Sequence, residues 1–122
     1  MKTSRTATVQ ATDDQLRQRW QKRLRDGEFS TAVLGVGTIK VFGRAGDAPV
    51  AFPRITSIAA LDQLEADERW AVTYAEQVIA QHQQHGRSIM GALPGQANSA
   101  APVTSFDPAR EYHLVLSQIA GG

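Results

Sequence analysis

Histidine is the first residue type to consider, because its imidazole binds metals and transfers protons near neutral pH. The chain has three histidines, His82, His85 and His113, and the first two stand three positions apart. Such a pair on one helix face, joined by a third histidine, has the ligand types of a transition-metal site. Histidines near a helix C-terminus also complement its negative end. We favour this second role, and predict neither a metal site nor a cofactor.

Carboxylates that could act as a general acid and base gather in one stretch: Asp62, Glu65, Asp67 and Glu68. They fall where a long helix is predicted to begin, and negative charge at that position stabilises the helix dipole. Nucleophilic catalysis has less support, because no serine stands at a recognisable spacing from a base and the chain has no cysteine. We therefore predict that the protein is not an enzyme and has no small-molecule substrate.

The sequence "GVGTIK" places glycines at Gly35 and Gly37, and closely spaced glycines are a feature of nucleotide-binding loops. The spacing fits neither the dinucleotide fingerprint nor a P-loop, and residues typical of a strand follow. A phosphate site of this kind needs a helix N-terminus, which this pattern lacks. Close backbone packing in a strand is the interpretation that remains.

A basic helix face is the clearest candidate binding surface. "TDDQLRQRWQKRLRDG" has capping-box spacing between Thr12 and Gln15, and Gly27 is placed to end the helix. An apolar stripe of Leu16, Trp20 and Leu24 runs along it. Its candidate interaction residues are all cationic: Arg17, Arg19, Lys22, Arg23 and Arg25. Nucleic acid could use such a face for phosphate contacts, but an acidic protein partner fits the balanced net charge of +1 better.

The elements that position these residues follow from hydrophobic periodicity. Two runs rich in β-formers, 31–42 and 49–55, predict a hairpin whose second strand is pushed to a sheet edge by Pro49 and Pro53. A long helix is predicted over 66–85, with Trp70 and Tyr74 widening its apolar stripe. Strands at 87–93 and 110–119 follow, separated by a surface loop at 94–108. The predicted fold is α+β, with a sheet of about four strands in the order β-β-α-β-β, covered by one long helix and extended by an N-terminal helix.

Length and composition limit the classes of protein further. A chain of 122 residues with 42% hydrophobic residues can form one domain with its own core. We predict a flexible arm at 1–11 and a single domain at 12–122. No stretch has the length and apolarity of a membrane span or a signal peptide, so a cytoplasmic protein without membrane contact is expected.

The last strand and the two residues at its end carry a resemblance. "EYHLVLSQIAGG" is similar to the final strand and di-glycine end of ubiquitin-like proteins, with His113–Leu116 and Gly121–Gly122 as the matching positions. The resemblance implies a β-grasp fold, in which a hydrophobic strand leads to a tail whose terminal carboxylate is activated and conjugated.

Two functions are consistent with these patterns. The first is a small non-catalytic interaction or assembly module that binds a protein partner or another copy of itself. The alternative, implied by the resemblance, is a ubiquitin-like modifier conjugated through Gly121 and Gly122.

Overall fold

The computed structural model describes residues 11–41, 49–93 and 100–116. The predicted arm, apart from Ala11, lies outside the described residues, as do the turn predicted at 43–47 and part of the loop predicted at 94–108. Among the described residues, no helix has the length and apolarity needed to cross a membrane.

Helix α1, Asp13–Asp26, begins and ends at the predicted residues. The Thr12 side chain accepts a hydrogen bond from the Gln15 N–H, and the Gln15 side chain accepts one from the Thr12 N–H. Gly27 has a φ of 69°, in the left-handed region that glycine adopts without strain, and its N–H bonds to the carbonyl of Arg23. Both ends of α1 are thus encoded locally.

In the described part of the chain, five strands and one further α-helix follow. The strands are β1 Gly35–Val41, β2 Val50–Arg54, β3 Ser88–Ala92, β4 Ala101–Val103 and β5 Tyr112–Leu116. A 3₁₀ helix, Ile58–Gln63, precedes helix α2, Ala66–Gln84. The α+β class is confirmed, and the structure adds the short strand β4 to the four predicted.

The strands form one mixed sheet in the order β2-β1-β5-β3-β4. Strands β1 and β2 pair antiparallel, as predicted, and β2 is an edge strand. Strand β5 lies at the centre, parallel to β1 and antiparallel to β3. The last strand of the chain is therefore held by a neighbour on each side.

Helix α2 covers one face of this sheet and forms the core with it. Its buried residues Val72, Ala75 and Ile79 join a cluster of sheet residues that includes Ile39, Phe52, Ile89 and Val115. Gly37 is buried in this layer, and a Cβ there would clash with the Phe52 ring and lie 3.0 Å from the carbonyl oxygen of Arg110. The interpretation of this glycine as a close-packing position agrees with that geometry.

Candidate functional site

The predicted basic face of α1 is divided by the fold. Arg23 turns inward, and its Nε donates a 2.5 Å hydrogen bond to Oδ2 of Asp67 on α2. Lys22 pairs with Asp26 at 2.6 Å, and Arg17 pairs with Asp14 at 3.2 Å. Arg19 and Arg25 are exposed. The five cations therefore do not form one uniformly positive surface, because carboxylates of the same molecule neutralise three of them.

Glu68 explains why Arg23 points inward. This carboxylate has no solvent-exposed surface, and it accepts hydrogen bonds from the Ser30 N–H, the Ser30 hydroxyl and the Glu65 N–H at 2.8, 2.5 and 2.9 Å. Arg23 Nη1 lies 3.4 Å from Glu68 Oε2. Burial alone would raise the pKa of Glu68, but these donors and the Arg23 charge outweigh it and lower the pKa.

The buried carboxylates Asp67 and Glu68 join α1 to α2 through Arg23. A general acid needs a raised pKa, and the surroundings of Glu68 act in the opposite direction. The same contacts raise the pKa of Arg23, chiefly through its hydrogen bond to Asp67. Hydrogen-bonded donors and a cation compensate for the burial of charge at this junction.

A groove between α1, α2 and the edge strand β2 is the most distinctive surface of the described residues. We call it the aromatic groove; its volume is about 270 Å³, and it is lined by Arg17, Trp20, Gln21, Leu24, Pro49, Val50, Ala51, Trp70 and Tyr74. Of the predicted interaction residues, only Arg17 lines this groove. Its remaining lining is mainly aromatic and aliphatic, which the basic pattern of α1 did not predict.

Trp20 forms the inner wall of the aromatic groove. It is 3% exposed, and its indole N–H donates a 3.0 Å hydrogen bond to the carbonyl of Ala51 in β2. Its ring also packs against Phe29, with the ring centres 5.7 Å apart. Trp20 thus holds α1 against the sheet edge, as the apolar stripe of that helix predicted.

Trp70 and Tyr74 form the outer wall. Their rings are stacked with centres 5.3 Å apart and an angle of 5° between the planes. Tyr74 is 44% exposed, and the guanidinium carbon of Arg17 lies 6.0 Å from the centre of the Trp70 ring. Their i, i+4 spacing predicted the contact between the two rings. Tyr74, which was predicted to widen the apolar stripe of α2, lies on the part of that stripe that faces solvent.

The three histidines have separate surroundings. His85 Nδ1 is 2.8 Å from the carbonyl oxygen of Gln81, and His82 Nδ1 is 3.0 Å from Nη1 of Arg87. His113 lies in β5 and is fully buried. Within the described ranges, no group of three histidine or carboxylate side chains is placed to hold a metal ion.

His113 belongs to a buried aromatic cluster. Its ring stacks on Phe106 with centres 5.1 Å apart, and its Nε2 accepts a 3.2 Å hydrogen bond from the Asp107 N–H. Burial lowers the pKa of His113 to about 4; Asp107 opposes this shift and Arg110 adds to it. The imidazole is therefore neutral at pH 7 and serves as a core residue.

A second groove, of about 470 Å³, lies between residues 56–58 and 102–110. Arg110, at its edge, bonds to Asp107 Oδ2 and to the Gly91 carbonyl, both at 3.2 Å. Arg110, the one cationic residue among the described residues that line this groove, is therefore hydrogen-bonded within the molecule. Gly121 and Gly122, the predicted conjugation residues, lie outside the described residues.

Comparison of the chain with protein-family models, with curated proteins and with solved structures found no match. Function is therefore argued from the surfaces and the topology described above.

Proposed function

We propose that the protein is a small non-catalytic interaction or assembly module, and that the aromatic groove binds its protein partner. The observation that carries this proposal is the stacked Trp70–Tyr74 pair beside Arg17, in which Tyr74 is exposed and Trp70 is half-buried. Tryptophan, tyrosine and arginine are the residue types that contribute most binding energy in protein interfaces.

The position of the groove strengthens this proposal. Its walls belong to three elements that are fixed to one another by the Trp20 hydrogen bond to Ala51 and by the Arg23 pair with Asp67. A preformed surface loses little conformational entropy on binding, so more of the contact energy appears as affinity. The lack of cysteine suits a reducing compartment, and a cytoplasmic location is part of this proposal.

Site-specific photo-crosslinking in cells of the source organism tests the proposal. The photoreactive residue benzoylphenylalanine replaces Tyr74 in one variant and Ile58 in another; Ile58 is 43% exposed and lies outside the aromatic groove. We expect a discrete adduct of higher mass from position 74 and none of that mass from position 58. Trp70→Ala added to the first variant should abolish the adduct. The same adducts from both positions, or none from position 74, would contradict the proposal.

A second candidate is the ubiquitin-like modifier that the resemblance of the last strand implies. Strand β5 lies at the centre of the sheet, parallel to β1 and antiparallel to β3. Gly121 and Gly122 follow this central strand in the sequence. Glycines suit a tail that enters a narrow active site, because they lack side chains.

Intact-mass analysis of the protein and its adducts from the source organism tests this second candidate. Three forms are compared: the chain as given, a form lacking Gly122, and a form extended by one residue. Conjugates found only with the native form would support a modifier, because activation requires a free Gly122 carboxylate. Identical adduct profiles for all three forms would exclude it.

A further inference from the structure

The charge of the aromatic groove limits the kind of partner that it accepts. Of the nine residues lining the groove, Arg17 is the one with a formal charge, and no lining residue is acidic. An interface gains specificity when charges of opposite sign meet across it, and like charges disfavour the wrong partner. A basic segment would therefore find no carboxylate among the lining residues, whereas an acidic segment can pair with Arg17.

Arg17 also excludes a second class of ligand. Aromatic clusters often bind cationic groups such as alkylated ammonium over the face of a ring. Here the guanidinium of Arg17 already lies 6.0 Å from the Trp70 ring centre. A second cation at the same ring would have to compete with Arg17 for that position.

The pair between Arg17 and Asp14 leaves Arg17 available to a partner. Their side chains are 53% and 76% exposed, and the distance between Arg17 Nη1 and Asp14 Oδ1 is 3.2 Å. Solvent-exposed ion pairs of this kind contribute about 0–1 kcal/mol. An incoming carboxylate can replace Asp14 at small cost, whereas the pair between Arg23 and Asp67 is part of the folded junction.

The size and lining of the groove indicate a peptide side chain rather than a cofactor. Its volume of about 270 Å³ is below the roughly 300–1,000 Å³ typical of small-molecule sites. The stacked rings of Trp70 and Tyr74 line the groove together with Trp20 and Pro49. Flat apolar groups, such as proline rings and aromatic side chains, pack well against such walls.

We propose that the aromatic groove binds an extended acidic peptide segment of the partner. One proline or aromatic residue of that segment packs against Trp70 and Tyr74, and a neighbouring aspartate or glutamate pairs with Arg17. The exposed cations Arg19 and Arg25 on α1 speed the approach of the segment without contacting it. This inference rests on the proposed function and specifies the chemistry of the partner.

Selection from a displayed library of random twelve-residue peptides tests the inference. Parallel selections use the native protein and Tyr74→Ser, which changes an exposed side chain of the groove wall. We expect the peptides enriched on the native protein alone to share a net negative charge and one proline or aromatic residue. Groove-dependent peptides that are neutral or basic would overturn the inference and leave the proposed function intact. Selection of no groove-dependent peptide would overturn the inference, and the crosslinking at position 74 would then decide the proposed function separately.

The most enriched peptide is then synthesised and titrated. The two tryptophans of the chain, Trp20 and Trp70, both line the groove, so their indole N–H signals in NMR report directly on binding. Arg17→Gln should weaken binding by about fivefold, as expected for one charged contact at a partly exposed site. Arg19→Gln, the matched control, should change it by less than about twofold. Equal effects of the two variants, or indole signals that do not move, would overturn the inference.

Discussion

His113 is a neutral imidazole at the centre of the sheet, and its burial makes the stability of the protein depend on pH. Its pKa is lowered to about 4 from 6.5, while the unfolded chain has the ordinary value. Between these values the unfolded state binds the proton and the folded state does not. The free energy of unfolding is therefore not reduced by His113 above pH 6.5, and it decreases as the pH falls from 6.5 towards 4.

Urea unfolding at pH 7 and pH 5 checks this dependence. We expect the free energy of unfolding to fall by about 2 kcal/mol over this range through His113 alone. His113→Phe keeps an aromatic ring against Phe106 and removes the titrating group. Because Asp107 and Arg110 are the charges that act on His113, they stay unchanged in both proteins. An equal pH dependence in the variant would contradict the assignment.

Gly37 and Gly91 are close-packing positions of different rigidity. A Cβ at Gly37 would meet the Phe52 ring and the Arg110 carbonyl, whereas one at Gly91 would meet chiefly the Arg110 side chain, 2.6 Å from its Cδ. We expect Gly37→Ala to cost about 2–3 kcal/mol, because overpacking a core displaces rigid groups. Gly91→Ala should cost about 1 kcal/mol, since an arginine side chain can move. Thermal unfolding of both variants checks the order, and the reverse order would contradict this account.

Among the elements, helix α1 is held against the edge strand β2 by Trp20. Trp20→Ala removes the packing against Phe29 and the hydrogen bond to Ala51, and we expect it to cost about 3 kcal/mol of unfolding free energy. Trp20→Phe keeps most of the bulk and loses the donor, so about 1 kcal/mol is expected. Gln18→Ala, on the exposed side of the same helix, is the control. A loss below about 0.5 kcal/mol for Trp20→Ala, measured in urea, would show that α1 does not unfold with the core.

Sequence patterns within a few residues predicted the helices and most strands. The site was harder to predict because it depends on contacts between residues that are far apart in the sequence. Thr12, Gln15 and Gly27 determine the ends of α1 through bonds within a few residues, so their pattern was sufficient. Strand β4 was missed because its three residues acquire strand structure by pairing with β3, and the segment carries Pro102.

The candidate site was predicted in part for the same physical reason. The composition of α1 identified Arg17, but the division of its cations depends on distant carboxylates, such as Asp67, which is 44 positions from Arg23. Spacing within α2 predicted that Trp70 and Tyr74 meet, yet their exposure depends on where α1 docks. Burial of Glu68 had no local signal, because its donor Ser30 precedes β1.

At the scale of the whole molecule, strand β5 lies at the centre of the described sheet and pairs with both β1 and β3. A variant that ends at Glu111 loses β5, the partner of both β1 and β3, together with the buried residues His113 and Val115. We expect it to show no cooperative unfolding transition by circular dichroism. A variant that ends at Leu116 keeps every pair described here and should unfold cooperatively. Retained cooperativity in the shorter variant would contradict the central role of β5.

Prolines on both outer strands also bear on how the molecule behaves at high concentration. Pro53 in the edge strand β2 and Pro102 in the edge strand β4 have no N–H, and the Ala51 carbonyl of β2 already accepts the Trp20 indole hydrogen. A sheet extends into a fibril by adding strands to an edge with free donors and acceptors. In the described part of the sheet, these two prolines and the occupied Ala51 carbonyl make both edges poorer templates for that growth.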